Sequence, residues 1–445
     1  MARDSLADLR RVAGRRPARR RHGHRHLVGV DAGDHGSVHR GGGRGDLRPP
    51  HIRLHRSARH SARELPHGGR PPRGPMTRLL DSPERSGPLP QLGVDFIGAI
   101  ERSGLVGRGG AGFPVGTKWR AVAQRSGGRA VIVVNGAEGE PRSQKDRLLM
   151  TTRPHLVLDG AFIAARVLRA RRVILYIGER HEKARHAMLR ALHERTEPER
   201  GLVTLAAAPG RYVAGAETAA IHFLNEGIAT PTTAPPLPFE QGVDRAPTLV
   251  QNVETLAHIA LIARGGRPTS TLITLAGGVA RPGVLEVELG TSIGDAVRQG
   301  GGVTEQPKAV LVGGYFGSWM EPAEAWKLPL DHRARLGCGV IGLLPASACP
   351  VCETAGIMRY LAAESSAQCG PCFFGLRALA DACTRIADNR SDGRDLSRLN
   401  RWVDEVPGRG ACRHPDGAVM FLSSALRVFA SDFANHGSHD LRRAA

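Results

Sequence analysis

Between residues 96 and 260, short β-branched runs alternate with helix-length amphipathic stretches, and this alternation constrains the fold more than any other feature of the chain. The runs Ala130–Val134, Val173–Ile177 and Leu202–Leu205 are strand-sized. Around them lie stretches with apolar residues at helical spacing, roughly His155–Leu168, Glu182–His193 and Glu217–Leu224. Strands and helices in alternation predict an α/β sheet, and open sheets of that kind bind ligands in loops at the carboxyl ends of their strands.

The pattern changes downstream. Residues 270–322 place strand-like Leu272–Leu275 and Val284–Leu289 around the turns Gly277-Gly278 and Pro282-Gly283, followed by a short helix and strand-like Ala309–Val312. That is a β-rich module of ubiquitin-like size. Residues 335–432 read as mostly helical and carry all seven cysteines. The sequence therefore predicts an α/β domain over 76–265, a small β module over 270–322 and a helical cysteine-bearing domain over 335–432. A chain of 445 residues is long enough for that many cores.

The formal charge of +20 suggests a nucleic-acid partner until its distribution is considered. Residues 1–75 hold 18 arginines, no lysine, six acidic residues and nine of the 19 histidines, so most of the excess charge is confined to this stretch. It has no hydrophobic period of 2 or 3.6 and is expected to be disordered. Three readings compete: a basic arm for nucleic acid or an acidic partner, a targeting peptide, and a start codon assigned too early, with Met76 opening normal composition. No apolar central region of a secretory signal is present, and no run approaches 18 apolar residues. A reducing, cytoplasmic location is expected, with any membrane association made through partner subunits.

Two loops of the first domain carry chemistry. Gly104–Trp119 packs six glycines with Arg108 and Lys118, so backbone N–H groups can approach an anion without Cβ obstruction. After the strand ending at Val134 comes Asn135-Gly136-Ala137-Glu138-Gly139-Glu140-Pro141 and then Lys145-Asp146-Arg147, placing amide and carboxylate groups where an open sheet binds ligands. Together the loops suggest a nucleotide-like ligand.

The cysteines are Cys338, Cys349, Cys352, Cys369, Cys372, Cys383 and Cys412. An odd number with two C-x-x-C pairs argues for a metal or cluster site over a disulfide framework. The pairs Cys349/Cys352 and Cys369/Cys372 are 16 residues apart, a zinc-ribbon spacing. A zinc-stabilised structural or nucleic-acid-binding protein is therefore the rival reading.

Four ordered motifs resemble the flavin-binding, NADH-oxidising component of respiratory complex I, the F subunit of NADH-quinone oxidoreductase, and its relatives. The first loop is similar to G-R-G-G-A-G-F-P-x-G-x-K-W through Gly107–Pro114, Gly116, Lys118 and Trp119. The second resembles N-A-D-E-x-E-P…K-D-R at Asn135, Glu138, Glu140, Pro141 and Lys145–Arg147. Tyr212, Gly215, Glu217, Thr218, Ala219, Leu224, Glu226 and Gly227 match a third motif, and Pro235, Pro236, Gly242, Pro247, Thr248 and Asn252–Thr255 a fourth. The resemblance implies an α/β flavin-binding domain, a β-grasp module and a helical iron-sulfur domain. It implies FMN contacts from Gly107, Arg108, Gly109, Gly110, Lys118, Asn135, Glu138, Gly215, Glu217, Thr218 and Asn252, with Phe113 and Glu140 on the nicotinamide side. Glu217 and Thr218 also suit a plain helix N-terminus.

It further implies a [4Fe-4S] cluster. The family's E-S-C-x-x-C-x-x-C-R-E-G becomes Glu364-Ser365-Ser366-Ala367-Gln368-Cys369-Gly370-Pro371-Cys372-Phe373-Phe374-Gly375, with a fourth family cysteine at Cys412. The implied ligands are Cys369, Cys372, Cys412 and, at the first position, Ser366, with Cys383, a cysteine of the 338–352 group or an open iron position as alternatives. Other departures are Ala137, Ala216, Gln251, Ala234 and Leu237, where the family has acidic, amide, lysine or aromatic residues. They fall on the dinucleotide side, so flavin binding is expected to be better preserved than NADH binding, and another electron donor stays open. The implied function is electron transfer from NADH or another donor through FMN to the cluster. A ferredoxin, another iron-sulfur protein or complex I-like subunits would receive the electrons, and nucleic acid is not expected as a partner.

Overall fold

The computed structural model describes residues 78–82, 87–331 and 336–436. The chain divides into two units, Met1–Gly69 and Arg70–Ala445, and everything below concerns the second. The expectations for residues 1–75 lie outside the described residues.

The first sheet is parallel, in the order β3-β2-β1-β4, with β1 Ala130–Gly136, β2 Ala170–Gly178, β3 Val203–Ala208 and β4 Thr248–Asn252. The strands form here because both faces of the sheet are covered. Ala130, Ile132 and Val134 point into the core built with the helices Val115–Ser126, Pro154–Val167 and Val253–Ala263. Val131 and Val133 point the other way, against Tyr176, Ala220 and Ile221, the last two from the helix Glu217–Glu226. Near-continuous apolar runs are what such double burial demands. The chain leaves β1 toward β2 on one side and returns as β4 on the other, so the order reverses beside β1. A crevice forms at the carboxyl ends of strands at such a point. Asn135 and Asn252 are paired there across β1 and β4.

The second sheet is mixed, in the order β6-β5-β9-β7-β8, with β5 Ser270–Gly277, β6 Gly283–Glu288, β7 Pro307–Val312, β8 Ser318–Met320 and β9 Val340–Pro345. The expected turns and the helix Ile293–Gln299 are in place. The central strand β9, by contrast, comes from beyond the expected module boundary at residue 322. It lies parallel to β5 and antiparallel to β7, so the small sheet is completed by the cysteine-bearing segment. Helices dominate after β9: Pro350–Ala363, Leu376–Ala387, Asp395–Glu405 and His414–Val428. They share a core with Trp319 of β8 and Leu311 of β7.

Candidate active site

The glycine loop is pinched at its base, where Gly107 N–H donates to Phe113 O at 2.9 Å and Val115 N–H to Leu105 O at 3.0 Å. Its tip lies on the start of the helix Val253–Ala263, where Arg108 N–H donates to Thr255 Oγ1 at 2.9 Å. A Cβ on Gly109 would stand 3.3 Å from the Asn252 Cβ, and Gly110 has φ of 111°. Glycine at these two places keeps the backbone bare and lets the loop follow the crevice. Asn252 caps the same helix, accepting from Glu254 N–H at 2.9 Å, and its amide donates to Asp146 Oδ2 at 2.7 Å. Asn135 donates from Nδ2 to Gly215 O at 2.9 Å. The two paired asparagines thus tie three loops together at the switch point.

These loops wall a cavity of about 470 Å³, inside the range usual for small-molecule sites. Arg108, Gly109, Gly110, Asn135, Glu138, Glu140, Gly215 and Asn252 all line it. Gly107 lines an adjoining cavity of about 350 Å³ with Arg108, Gly110 and Lys145. Phe113, Lys118, Glu217 and Thr218 are not among the lining residues of either cavity. Phe113 is 53% exposed. Lys118 is held by the Glu217 carboxylate and by Val250 O, the latter at 2.6 Å. Thr218 Oγ1 accepts from Thr232 N–H at 3.3 Å.

Glu138 is turned to a structural task. Its carboxylate accepts from Ser143 Oγ at 2.7 Å, Asp146 N–H at 2.9 Å and Arg147 N–H at 3.1 Å, capping the helix Lys145–Thr152. Glu140 is buried, and burial raises its pKa. Opposing this, it accepts from Tyr315 N–H at 2.8 Å and Tyr212 Oη at 3.2 Å. Tyr315 belongs to the turn after β7, so the small β module supplies part of the site. At that turn Gly314 has φ of 83°, and a Cβ there would lie 2.6 Å from Cys338 Sγ and 2.7 Å from Glu140 Oε2. Only glycine fits.

Sequence reasoning missed the charge beneath the cavity. Lys145 is buried, with Nζ 2.6 Å from Asp146 Oδ1 and 2.9 Å from Glu254 Oε2, and Arg108 Nε lies 4.0 Å from Glu254. Burial works against the Lys145 cation, but Asp146 and Glu254 outweigh it and hold the pKa above its ordinary value. Burial pushes Asp146 up to about 7 against the pull of Lys145. In Glu254 the pull of Lys145, Arg108 and His258 overcomes burial and keeps the carboxylate ionised. The K-D-R motif identified both side chains, but not that they meet Glu254 from a helix more than 100 residues on.

Cys412 also lines the larger cavity, beside Arg413 and His414 at the start of the helix His414–Val428. Its thiol is drawn down to about 7, first by the neighbouring Cys372 thiol. Cys372 is hydrogen-bonded in turn to Cys369, and the Ser365 hydroxyl reaches its carbonyl at 3.4 Å. The loop then enters a π-helical turn, Pro371–Gly375. Of these three thiols Cys412 lines the cavity, and Cys372 and Cys369 adjoin it. That donor set suits iron-sulfur ligation.

The other sulfurs are placed apart. Cys383 is fully buried among apolar side chains of the helical core, where burial pushes its pKa to about 12. Cys338 donates to Gly313 O at 3.1 Å, beside Glu140. Cys349 and Cys352 group with His436, and not with Cys369 and Cys372. The zinc-ribbon quartet is therefore not assembled, because the helix Pro350–Ala363 separates its halves.

Comparison with known proteins agrees with this geometry. Residues 100–261 match the Nuo51 FMN-binding domain, 272–314 the SLBB domain and 353–436 the NADH-ubiquinone oxidoreductase-F iron-sulfur binding region. The F subunit of NADH-quinone oxidoreductase in Streptomyces coelicolor is 30% identical over 371 residues, covering 77% of this chain and 83% of that one. Its Salmonella typhimurium counterpart is 32% identical over 377 residues, covering 76% and 83%. A solved NAD+-reducing [NiFe]-hydrogenase in the H2-reduced state superposes with a TM-score of 0.70 at 30% identity, over 80% of this chain and 63% of that chain. A bare glycine loop at the switch point, a β module closing one wall and the Cys412 thiol at another thus occur in a chain that aligns with these relatives over most of its length, and the chain belongs to the family of NADH-quinone oxidoreductase F subunits.

Proposed function

We propose that this chain accepts electrons from NADH in the 470 Å³ cavity and delivers them, through Cys412 at its wall and the adjoining Cys372 and Cys369, to a partner redox protein. The observation that carries the proposal is the position of Cys412, which lines the same cavity as Gly109, Asn135 and Asn252 while adjoining the Cys372 thiol. Bound FMN converts a two-electron hydride donor into single electrons, and a [4Fe-4S] cluster accepts those one at a time.

The chain's own residues supply binding and position. Gly109 and Gly110 offer bare backbone, and the amides of Asn135 and Asn252 hold the loops at the carboxyl ends of β1 and β4. Lys145 provides a fixed positive charge at the cavity wall. Lys118 is a phosphate ligand only if the anion displaces Glu217 from it. Glu140 is held between Tyr315 N–H and Tyr212 Oη, where an incoming nicotinamide ring would meet it. Cys369, Cys372 and Cys412 are the cluster ligands we assign, with Ser366 at the fourth position by alignment with the family motif.

The receiving protein is a ferredoxin or another component of a larger NADH-oxidising complex. No described helix is long and apolar enough to cross a membrane. The test is spectroscopic. Protein purified without oxygen should release FMN on acid treatment, bleach in the flavin region with NADH and then show a reduced cluster by electron paramagnetic resonance. Reduction by dithionite but not by NADH would remove NADH as the donor, and protein that takes up neither flavin nor iron on reconstitution would overturn the proposal.

A further inference from the structure

Away from this cavity, Cys349, Cys352 and His436 bring three donor atoms within 4.8 Å of one another. Cys349 is the N-cap of the helix Pro350–Ala363, and its Sγ accepts from Cys352 N–H at 3.3 Å, so sulfur lone pairs rather than an S–H face the start of the helix. Pro350 at the first helical position presets the turn that brings the two sulfurs to one side.

The histidine is set up to complete the group. His436 Nε2 lies 3.0 Å from Ala387 O, and a carbonyl only accepts, so Nε2 carries the proton. In the neutral ring Nδ1 then holds a free lone pair, and Nδ1 lies 3.8 Å from Cys349 Sγ. Fixing the tautomer through the outer nitrogen is how proteins prepare a histidine for a metal.

We infer that Cys349, Cys352 and His436 form a second metal site, for a zinc-class divalent ion with water in the fourth position, separate from Cys369, Cys372 and Cys412. Two thiolates and an imidazole match zinc in softness. Tetrahedral coordination with Zn–S bonds of about 2.3 Å sets donor separations near ~3.8 Å, which these side chains reach by small rotations. Cys352 is exposed and Cys349 and His436 are half-buried, so the ion has an entry path. The site would clip the end of the helical domain at His436 to the start of the helix Pro350–Ala363 and, through Ala387, to the end of the helix Leu376–Ala387.

The test measures zinc, iron and flavin together in the full-length protein, in wild type and in Cys352→Ser and His436→Ala. Cys352 is exposed and His436 half-buried, so neither change empties the core. We expect one zinc per chain in wild type, at least a tenfold lower zinc content in each variant, and unchanged iron and flavin. Zinc-edge X-ray absorption should show two sulfurs at about 2.3 Å and one nitrogen at about 2.0–2.1 Å. Wild-type protein that holds no zinc even after zinc is added would overturn the inference. So would zinc retained by both variants, iron lost along with it, or a Cys349–Cys352 disulfide in the protein as isolated. Since the readout is metal content, it stands or falls independently of the NADH reaction.

Discussion

Replacing Lys145 by Met tests whether the buried charges beneath the cavity hold it together. The lysine faces Asp146 at 2.6 Å and Glu254 at 2.9 Å, with side chains 3%, 7% and 0% exposed. At an effective dielectric of about 20, each contact is worth ~6 kcal/mol before desolvation, and removing one partner of such a buried group costs about 3–5 kcal/mol. Two features place the loss near the lower end. Glu254 keeps Arg108, at 4.0 Å, and Asp146, already pushed up to about 7 by burial, can take a proton in place of its lost partner. The expected loss is therefore about 3 kcal/mol at pH 8, shrinking toward pH 6 as Asp146 neutralises. Urea unfolding followed by far-ultraviolet circular dichroism at the two pH values reads it directly. A parallel flavin titration should show weaker FMN binding, because Asp146 anchors Asn252 at 2.7 Å. A loss below about 1 kcal/mol, or one that grows on acidification, would refute the reasoning.

Three further outcomes follow from the same geometry. Gly314→Ala puts a methyl 2.7 Å from Glu140 Oε2 at φ of 83°, so it should cost about 2–4 kcal/mol in unfolding free energy and slow flavin reduction by NADH in stopped flow; a neutral result would show that the turn does not shape the site. Cys369→Ala should abolish the cluster absorbance while leaving FMN in place, whereas Cys383→Ala, deep in the helical core, should leave both spectra intact and cost only stability. Asp146 has a folded pKa of about 7 against an ordinary 3.8, so its contribution to stability is complete below pH 4 and lost as pH rises through 7. The wild type should accordingly lose on the order of 1–2 kcal/mol between pH 5.5 and 7.5, and Asp146→Asn should flatten that slope.

What the sequence made legible divides along physical lines. β1 and β2 and their helices were readable because double burial writes continuous apolar runs and helical stripes into the chain. β4 was not, since Thr248–Asn252 has only three apolar or β-branched residues in a row before Gln251 and Asn252, and its strand character comes from pairing with β1. β9 was hidden among the cysteines because its partner β5 lies far back in the chain. Among site residues, motif order found Gly109, Asn135, Glu140 and Asn252, which line the cavity. It could not see that Glu138 serves as a helix cap, or that Lys118 is paired with Glu217, because those contacts depend on how loop and helices are placed in the fold. His436 had no local signal at all; a lone histidine 84 residues after Cys352 becomes a candidate ligand only once the helices are folded.

The placement of the site explains why the β module and the helical domain belong in one chain with the parallel sheet. The switch point of the parallel sheet supplies only an open crevice. The turn Gly313–Tyr315 closes one side of it, since Tyr315 N–H meets Glu140 at 2.8 Å and Gly313 lines the cavity. The helical domain closes another with Cys412, Arg413 and His414, and packs Tyr212 and Phe316 against the His414 ring at 5.9 and 5.3 Å between centroids. β9 runs between β5 and β7 and leads directly into Cys349 and the first helix of that domain, so the helical domain is tied to the small sheet. The domain that carries Cys412 is thereby joined to the site by the backbone pairing of β9, and not by a flexible linker.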